Sequence, residues 1–231
     1  ADYRRDYRIV KELGANFLRL AHYPHNDFAF QLCDSLGIIV QTEVPWVNVC
    51  GTDATQGYFN NIHHQMKEMV NNLYNHPSIA FWGMWNELDT WGNNKDLQGQ
   101  FDAERVAMET ERLYDDTKKL DPDRFVGFTD CSRLARDGYQ DLKGDFCSQN
   151  IYYGWYWTPN DFGGLSTSMK KLHEMKPDMP FNVSEYGVGI NPFCHVWNPA
   201  DAVRDKEDDS KHYEEYGNRF HESYVRQIKA M

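Results

Sequence analysis

The chain has 231 residues, of which 41% are hydrophobic and 15% aromatic, so it has enough apolar material for a large core, which argues against disorder. Its net charge of −11 comes without a basic cluster, which argues against nucleic acid and anionic membranes as partners. Five cysteines without a C-x-x-C pair argue against a cysteine zinc site and a disulfide scaffold, and no run of about 18 apolar residues predicts a membrane span.

Strands and helices alternate along the chain, as the spacing of its apolar residues indicates. Strands are predicted, in chain order, at 16–20, 38–44, 78–85, 124–130, 146–153 and 180–187. Helices are predicted, in chain order, at 2–13, 27–36, along the apolar stripe from Ile62 to Leu73, at 98–120, 164–175 and 211–230. Because the strands have little solvent-facing character, they are expected to be parallel and buried on both faces of the sheet, which is typical of α/β folds.

Polar residues at the strand ends distinguish the two α/β architectures that fit this order of elements, a doubly wound sheet and a (β/α)₈ barrel. They lie at or just beyond the carboxyl ends of the predicted strands: Arg19, His22, Glu43, Asn86, Glu87, Asp130, Asn150, Tyr152 and Glu185. A (β/α)₈ barrel gathers these ends around one mouth, where barrel enzymes build their active sites. A dinucleotide-binding sheet requires a G-x-G-x-x-G turn, which the sequence lacks. We therefore predict a TIM barrel.

Two glutamates stand out among these strand-end residues. Glu87 lies just beyond the predicted strand 78–85, after Asn86, and Glu185 lies at the carboxyl end of the sixth predicted strand. Enzymes that hydrolyse glycosides use a pair of carboxyl groups on opposite sides of a pocket. One of the two stays protonated and the other stays ionised. Either glutamate alone could instead cap a loop or pair with an arginine.

The sequence resembles glycoside hydrolase family 2, which includes β-galactosidases, β-glucuronidases and β-mannosidases. The stretches that carry the resemblance, in order along the chain, are NFLRLAHYPH, CDSLGIIVQTEVP, YNHPSIAFWGMWNE, NIYYGWY and FNVSEYG. The resemblance implies a TIM barrel that hydrolyses terminal β-linked sugars by a retaining double displacement. By position, Glu87 resembles the acid/base, Glu185 the nucleophile, and Asn86 the residue that binds the sugar 2-hydroxyl group.

Other residues resemble the family's substrate site. Arg19 and His22 resemble the pair that orients the nucleophile and lines the sugar site, and Arg19 is expected to hold the Glu185 carboxylate ionised. The further candidates for substrate binding are Tyr152, beside the nucleophile, Asn150 at a strand end, and the loop tryptophans Trp46 and Trp155. An aromatic ring can stack on a sugar, but packing in the core is an equal alternative for each tryptophan.

No cofactor and no catalytic metal are expected. The proline between His22 and His25 opposes a regular helix there, and the helical pair His64 and Glu68 is most simply a solvated face. The expected partner is a carbohydrate substrate, with no nucleic acid and no membrane.

The predicted strands number six, whereas full barrels of the family have eight. The first strand is expected before residue 1 and the eighth after Met231, so residues 1–231 are expected to be a single catalytic-barrel fragment of a larger multidomain glycosidase. Such a fragment would have low activity alone and exposed strand edges that favour self-association. No signal peptide is visible, and a periplasmic or secreted location stays open, because upstream sequence could supply one.

The sequence leaves the sugar open among galactose, glucuronic acid and mannose, with a β-galactoside as the first expectation. Two other classes of protein also stay open. One is another barrel glycosidase, such as a family 5 endo-β-glycanase, and the other is a non-catalytic carbohydrate-binding module. A binding module would keep the aromatic residues but has no need of two converging glutamates.

Overall fold

The fold is that of a computed structural model, which describes residues 2–48, 50–88, 102–131, 142–204 and 212–231. The chain divides into two compact units, residues 1–148 and residues 149–231. That residues 1–231 form a single catalytic-barrel fragment stays a prediction.

Every predicted strand and helix is present in the described residues. The strands are β1 Phe17–Leu20, β2 Ile39–Glu43, β3 Ile79–Asn86, β4 Phe125–Asp130, β5 Phe146–Asn150 and β6 Phe181–Glu185. The α-helices are α1 Asp2–Glu12, α2 Asp27–Leu36, α3 Gln56–Leu73, α4 Ala103–Leu120, α5 Gly164–Met175 and α6 Glu214–Ala230. The predicted helix 98–120 thus begins at Ala103, and residues 98–101 of that prediction lie outside the described residues.

The strands follow one another in the sheet in the order in which they occur in the chain, from β1 to β6. The pairs β1–β2, β2–β3 and β3–β4 are parallel, and β5 crosses the boundary between the two units. A doubly wound sheet reverses its strand order at a switch point, whereas a (β/α)₈ barrel keeps the order of the chain. The sequential order confirms the barrel-type prediction.

Local signals explain where the helices of the first unit begin and end. The side chains of Asn26, Thr55 and Asp102 each accept a hydrogen bond from a backbone N–H in the first turn of α2, α3 and α4. Helix α2 ends at Leu36 and is capped by Gly37, whose φ of 65° is in the left-handed region that glycine adopts without strain. Among the described residues, none of the helices combines the length and hydropathy that crossing a membrane requires.

His76 ties the segment before β3 to helix α2. Its Nδ1 lies 2.6 Å from Asp34 Oδ2 and its Nε2 lies 3.0 Å from Asp27 Oδ1, while the Ser78 N–H donates to Asp34. Burial alone would lower the pKa of His76, but the hydrogen bonds to Asp34 and Asp27 outweigh burial and raise it. Burial would raise the pKa of Asp34, but hydrogen bonds from Ser78 and His76 lower it.

An aromatic core holds the second unit together. Phe220 and Tyr224 of α6 stack with ring centroids 4.2 Å apart, and both side chains are fully buried. Trp155, in the segment after β5, is 7% exposed. The Arg204 guanidinium lies 4.2 Å from the centre of the Trp155 ring and also donates to the Trp155 carbonyl oxygen. Trp155 therefore packs in this core, which favours the packing alternative over a sugar platform for this residue.

The hydrogen bonds of His76 to Asp34 and Asp27 predict that the stability of the fold depends on pH. A histidine whose pKa is raised by folding stabilises the fold fully below its ordinary value of 6.5 and loses this effect as the pH rises through the raised value. The lowered pKa of Asp34 keeps that carboxylate ionised throughout this range. His76→Gln should therefore lower the free energy of unfolding by about 1.5–3 kcal/mol at pH 6, and by less at pH 9, in urea denaturation.

His64→Gln is the matched control, because His64 forms an exposed pair with Glu68 on α3. This change should alter the free energy of unfolding by less than about 0.5 kcal/mol at either pH. A His76→Gln effect of equal size at both pH values would show that the charge of His76 is not what stabilises this contact.

The packing of Trp155 predicts a large loss of stability when its ring is removed. Trp155→Ala should lower the free energy of unfolding by about 3–5 kcal/mol, since it leaves a cavity beneath Arg204. The neighbouring Tyr156, whose exposed fraction is 62%, is the control, and Tyr156→Ala should cost less than about 1 kcal/mol. Urea denaturation measures both, and wild-type stability of Trp155→Ala would contradict a packing role.

Candidate active site

Three polar side chains meet where β1, β2 and β3 end in the first unit. Arg19 lies near the end of β1, Glu43 ends β2 and Asn86 ends β3. The parallel registers pair Arg19 with Gln41 and Glu43 with Gly83, so that the carboxyl ends of the strands lie side by side. The sequence predicted this gathering of polar strand ends.

Arg19 joins the other two residues through its guanidinium group. Its Nε donates to Glu43 Oε2 at 3.0 Å, and its Nη2 donates to Glu43 Oε1 at 2.7 Å. The same Nη2 donates to Asn86 Oδ1 at 2.7 Å. The side chains of Arg19 and Glu43 are 4% and 1% exposed, so this is an almost fully buried and bidentate ion pair.

His22 is the most solvent-exposed residue of this cluster. Its Nδ1 lies 3.3 Å from Glu43 Oε1 and 3.5 Å from Arg19 Nη2, and its side chain is 39% exposed. The structure therefore brings Arg19, His22 and Asn86 together, as expected for residues of one site. Their contact with a sugar stays a prediction.

Glu43 is the member of the cluster for which sequence reasoning gave no role. The available signal was a carboxylate at the end of the buried strand IIVQTEV, the same signal that identified Glu87 and Glu185. Arg19 was expected to accompany Glu185, whereas its described partners in the first unit are Glu43, Asn86 and His22. A contact between Arg19 and Glu185 stays a prediction.

Glu87 has a backbone conformation that is uncommon for a residue other than glycine. Its φ of 49° is in the left-handed region, and its N–H donates to the Thr129 carbonyl oxygen of β4 at 2.9 Å. The preceding Asn86 is held by a backbone hydrogen bond from its N–H to the Trp46 carbonyl oxygen at 2.9 Å. Such strain is frequent at functional sites, where it directs a side chain that a regular strand would turn elsewhere.

Trp46 itself is 1% exposed, and its ring packs edge-on against Phe59 of α3 with centroids 6.0 Å apart. Its ring face is therefore covered in the described structure. The backbone of Trp46 positions Asn86, while its side chain is part of the core, so the packing alternative is favoured here as well.

In the second unit, Tyr152 and Glu185 form a short hydrogen bond. Tyr152 Oη donates to Glu185 Oε2 at 2.6 Å. The Ile151 N–H donates to the Glu185 carbonyl oxygen at 2.8 Å, which fixes the end of β6 beside the end of β5. Ser184 Oγ donates to Asn150 Oδ1 at 2.7 Å, so that Asn150 is anchored in the same pair of strands. This unit thus brings together Tyr152, Asn150 and Glu185, which the sequence singled out.

One cavity of the second unit is lined by none of these residues. A cavity of about 780 Å³ in the second unit is lined by α5, the segment before β6 and the end of α6, including Lys170, His173 and Asp178. It contains no predicted site residue. Within the described residues, no group of three or more His, Cys, Asp or Glu side chains has an arrangement that could hold a metal ion.

Known proteins match the chain over most of its length. The family model for "Glycosyl hydrolases family 2, TIM barrel domain" matches residues 1–231. A β-glucuronidase from Bacteroides fragilis is 32% identical over 209 residues, which cover 87% of this chain and 27% of that protein. The chain thus spans about a quarter of the length of this curated relative.

Two solved structures from Bacteroides uniformis share the fold. A β-glucuronidase superposes with a TM-score of 0.84 at 29% identity, covering 98% of this chain and 26% of that one. β-Glucuronidase 2, covalently bound to cyclophellitol-6-carboxylate aziridine, superposes with a TM-score of 0.83 at 30% identity. The match covers 99% of this chain and 26% of that one. The strand order, the strand-end residues and the family model agree: the chain belongs to the TIM barrel domain family of glycosyl hydrolase family 2.

Proposed function

We propose that this chain supplies the catalytic residues of a retaining β-glucuronidase. Membership of family 2 supports the general activity, hydrolysis of a β-glycoside, and removes the family 5 alternative. The observation that carries the proposal is the pair Glu87 and Glu185, each at the end of a strand beside polar residues, in a chain whose relatives include β-glucuronidases. A carbohydrate-binding module would need neither carboxylate.

Glu185 is the proposed nucleophile. The hydrogen bond from Tyr152 stabilises the charge of its carboxylate without neutralising it, because the phenol donates and keeps its proton. In the first step, a Glu185 oxygen attacks the anomeric carbon while the bond from this carbon to the leaving oxygen breaks. The product of this step is a covalent glycosyl-enzyme.

Glu87 is the proposed acid and base. It gives its proton to the leaving oxygen in the first step and, as a carboxylate, takes a proton from water in the second. The water oxygen then attacks the anomeric carbon and releases Glu185, so that configuration is retained. This scheme requires the two carboxyl groups to lie roughly 5 Å apart, which stays a prediction.

The relatives favour a glucuronide over the β-galactoside that the sequence alone put first. The matched Bacteroides fragilis and Bacteroides uniformis proteins are named β-glucuronidases. One of them is covalently bound to an aziridine that carries a 6-carboxylate. A carboxylate at this position is what distinguishes a glucuronide from a glucoside, and covalent capture is the behaviour expected of a nucleophilic site. A galactoside is therefore no longer the first expectation.

The substrate is tested with a panel of 4-nitrophenyl β-glycosides and the whole protein. We expect kcat/KM for the glucuronide to exceed that for the galactoside, mannoside and glucoside by at least about 10²-fold, because a site built for a carboxylate rejects groups that leave its polar residues unpaired. The methyl ester of the glucuronide removes the negative charge, adds one methyl group and keeps the sugar ring, so it is the control for recognition of the carboxylate. If the galactoside is the best substrate, the enzyme is a β-glycosidase but the glucuronide proposal is wrong.

The two catalytic roles predict opposite behaviour of two variants. Glu185→Gln should lower kcat by more than about 10³-fold, because no glycosyl-enzyme forms. Glu87→Ala should regain turnover of an activated aryl glycoside with azide, since azide attacks the glycosyl-enzyme without needing a base. The rescued product, identified by NMR, should be a β-glycosyl azide.

Glu174→Gln changes an exposed glutamate of α5 and is the control, with turnover near that of wild type. Rescue of the Glu185 variant by azide to a β-glycosyl azide would mean that the two roles are reversed. Self-association through strand edges stays a separate prediction, which light scattering tests.

A further inference from the structure

We propose that Glu43 is a positioning residue that fixes the amide of Asn86, through Arg19, for recognition of the sugar 2-hydroxyl group. This inference rests on the proposed function, in which Asn86 binds that hydroxyl group. It assigns a role to a buried carboxylate that neither catalytic step uses.

The burial of Glu43 is the first observation that supports this role. Glu43 is fully buried, and its charge is matched by the Arg19 guanidinium through two hydrogen bonds of 2.7 and 3.0 Å. Well-packed apolar residues of similar volume would often stabilise a fold as much as a buried ion pair does. A buried pair at the ends of two strands therefore indicates a requirement for a charged group at a fixed place.

The hydrogen bond from Arg19 to Asn86 shows what the buried charge of Glu43 is needed for. Arg19 Nη2 donates both to Glu43 Oε1 and to Asn86 Oδ1, each at 2.7 Å. Because the Asn86 oxygen accepts from a cation, the amide is oriented with its NH₂ group on the other edge. Asn86 then serves as a donor to the oxygen of the 2-hydroxyl group. Without the negative charge of Glu43, the guanidinium loses the carboxylate that holds it through two hydrogen bonds, and we expect the orientation of the Asn86 amide to be lost with it.

The absence of a side chain at Gly83 is an independent observation. Gly83 lies beside Glu43 in the register of β2 and β3. A Cβ atom at Gly83 would lie 2.5 Å from Glu43 Cβ and 3.0 Å from Glu43 Oε2. Real Cβ atoms do not approach so closely, so any larger residue at position 83 would displace Glu43. The neighbouring strand thus leaves the space that the position of Glu43 requires.

A second buried glutamate provides a matched control. Glu109 on α4 is also fully buried and also pairs with arginines, Arg105 at 2.9 Å and Arg112 at 3.0 Å. None of these three residues is among the predicted site residues. A change at Glu109 therefore reproduces the loss of a buried charge without touching Asn86.

The test compares two substrates that differ only at the 2-position, an aryl β-glucuronide and its 2-deoxy analogue, with the whole protein. Glu43→Gln should lower kcat/KM for the normal substrate by about 10- to 100-fold, the effect of one lost hydrogen bond to a charged or transition-state group. For the 2-deoxy substrate the loss should be less than about threefold, because the contact that Glu43 supports is already missing. Glu109→Gln should leave the ratio of the two substrates unchanged.

A residue that only stabilised the fold would lower both activities equally, and an equal loss in Glu43→Gln would overturn the proposal. If Glu43→Gln does not fold, Glu43→Asp retains the charge at a shorter reach and Gly83→Ala displaces the carboxylate while keeping every polar group. Both should show the same selective loss, and a loss that is equal for both substrates overturns the proposal here too.

A crystal structure of Glu43→Gln gives a readout that does not depend on activity. We expect the Arg19 side chain to move and its hydrogen bond to Asn86 Oδ1 to be broken. If that bond is unchanged, the positioning role is wrong even where the enzyme is a β-glucuronidase. A wild-type protein that hydrolyses no β-glycoside refutes the proposed function, whereas the structure of the variant still decides whether Glu43 orients Asn86.

Discussion

The buried ion pair between Arg19 and Glu43 is the interaction on which the first unit's polar edge depends. A single unpaired charge at this depth would cost several kcal/mol, so neither residue could occupy its position alone. The pair forms only if β1 and β2 are in the register that the structure shows, because a slip of one residue would turn one of the side chains to the other face of the sheet. Charge pairing therefore fixes strand register here, and the register in turn places Asn86.

The second unit orients its carboxylate by a different physical means. Glu185 accepts a hydrogen bond from Tyr152, and the Tyr152 carbonyl oxygen accepts one from the Trp155 N–H at 3.0 Å. Trp155 is in turn fixed by aromatic packing and by the Arg204 guanidinium over its ring. A neutral phenol held by a packed core keeps its position without a buried charge. Of the two proposed catalytic glutamates, Glu87 thus follows a strand of the unit organised by charge, and Glu185 ends a strand of the unit organised by aromatic packing.

Much of this organisation could be predicted from the sequence, and the exceptions have physical reasons. Apolar periodicity located the helices and strands, and α2 and α5 have the bounds that were predicted. Strand-end position singled out Arg19 and Asn86, which the structure joins by a hydrogen bond, and Glu185, whose role stays a prediction. The hydrogen-bond partners of individual side chains were harder to predict, since Arg19 had several acidic residues at strand ends as candidate partners. The burial of Trp155 depends on Arg204, which lies 49 positions further along the chain, a separation that local patterns do not reveal.

The same reasoning explains why strand-end motifs identify the reaction class more readily than the sugar. Double displacement and recognition of the 2-hydroxyl group involve atoms that glucuronides, galactosides and glucosides share. Residues at strand ends, such as Asn86, Glu87 and Glu185, are proposed to act on these shared atoms. Glucuronides differ from glucosides at C6 and galactosides differ at C4, so selection of the sugar needs groups that reach the far side of the ring. Loops vary more freely than strands in sequence and length, and they are where such groups are expected. The proposed preference for a glucuronide therefore rests on likeness over the whole domain, while the proposed mechanism rests on particular residues at the strand ends.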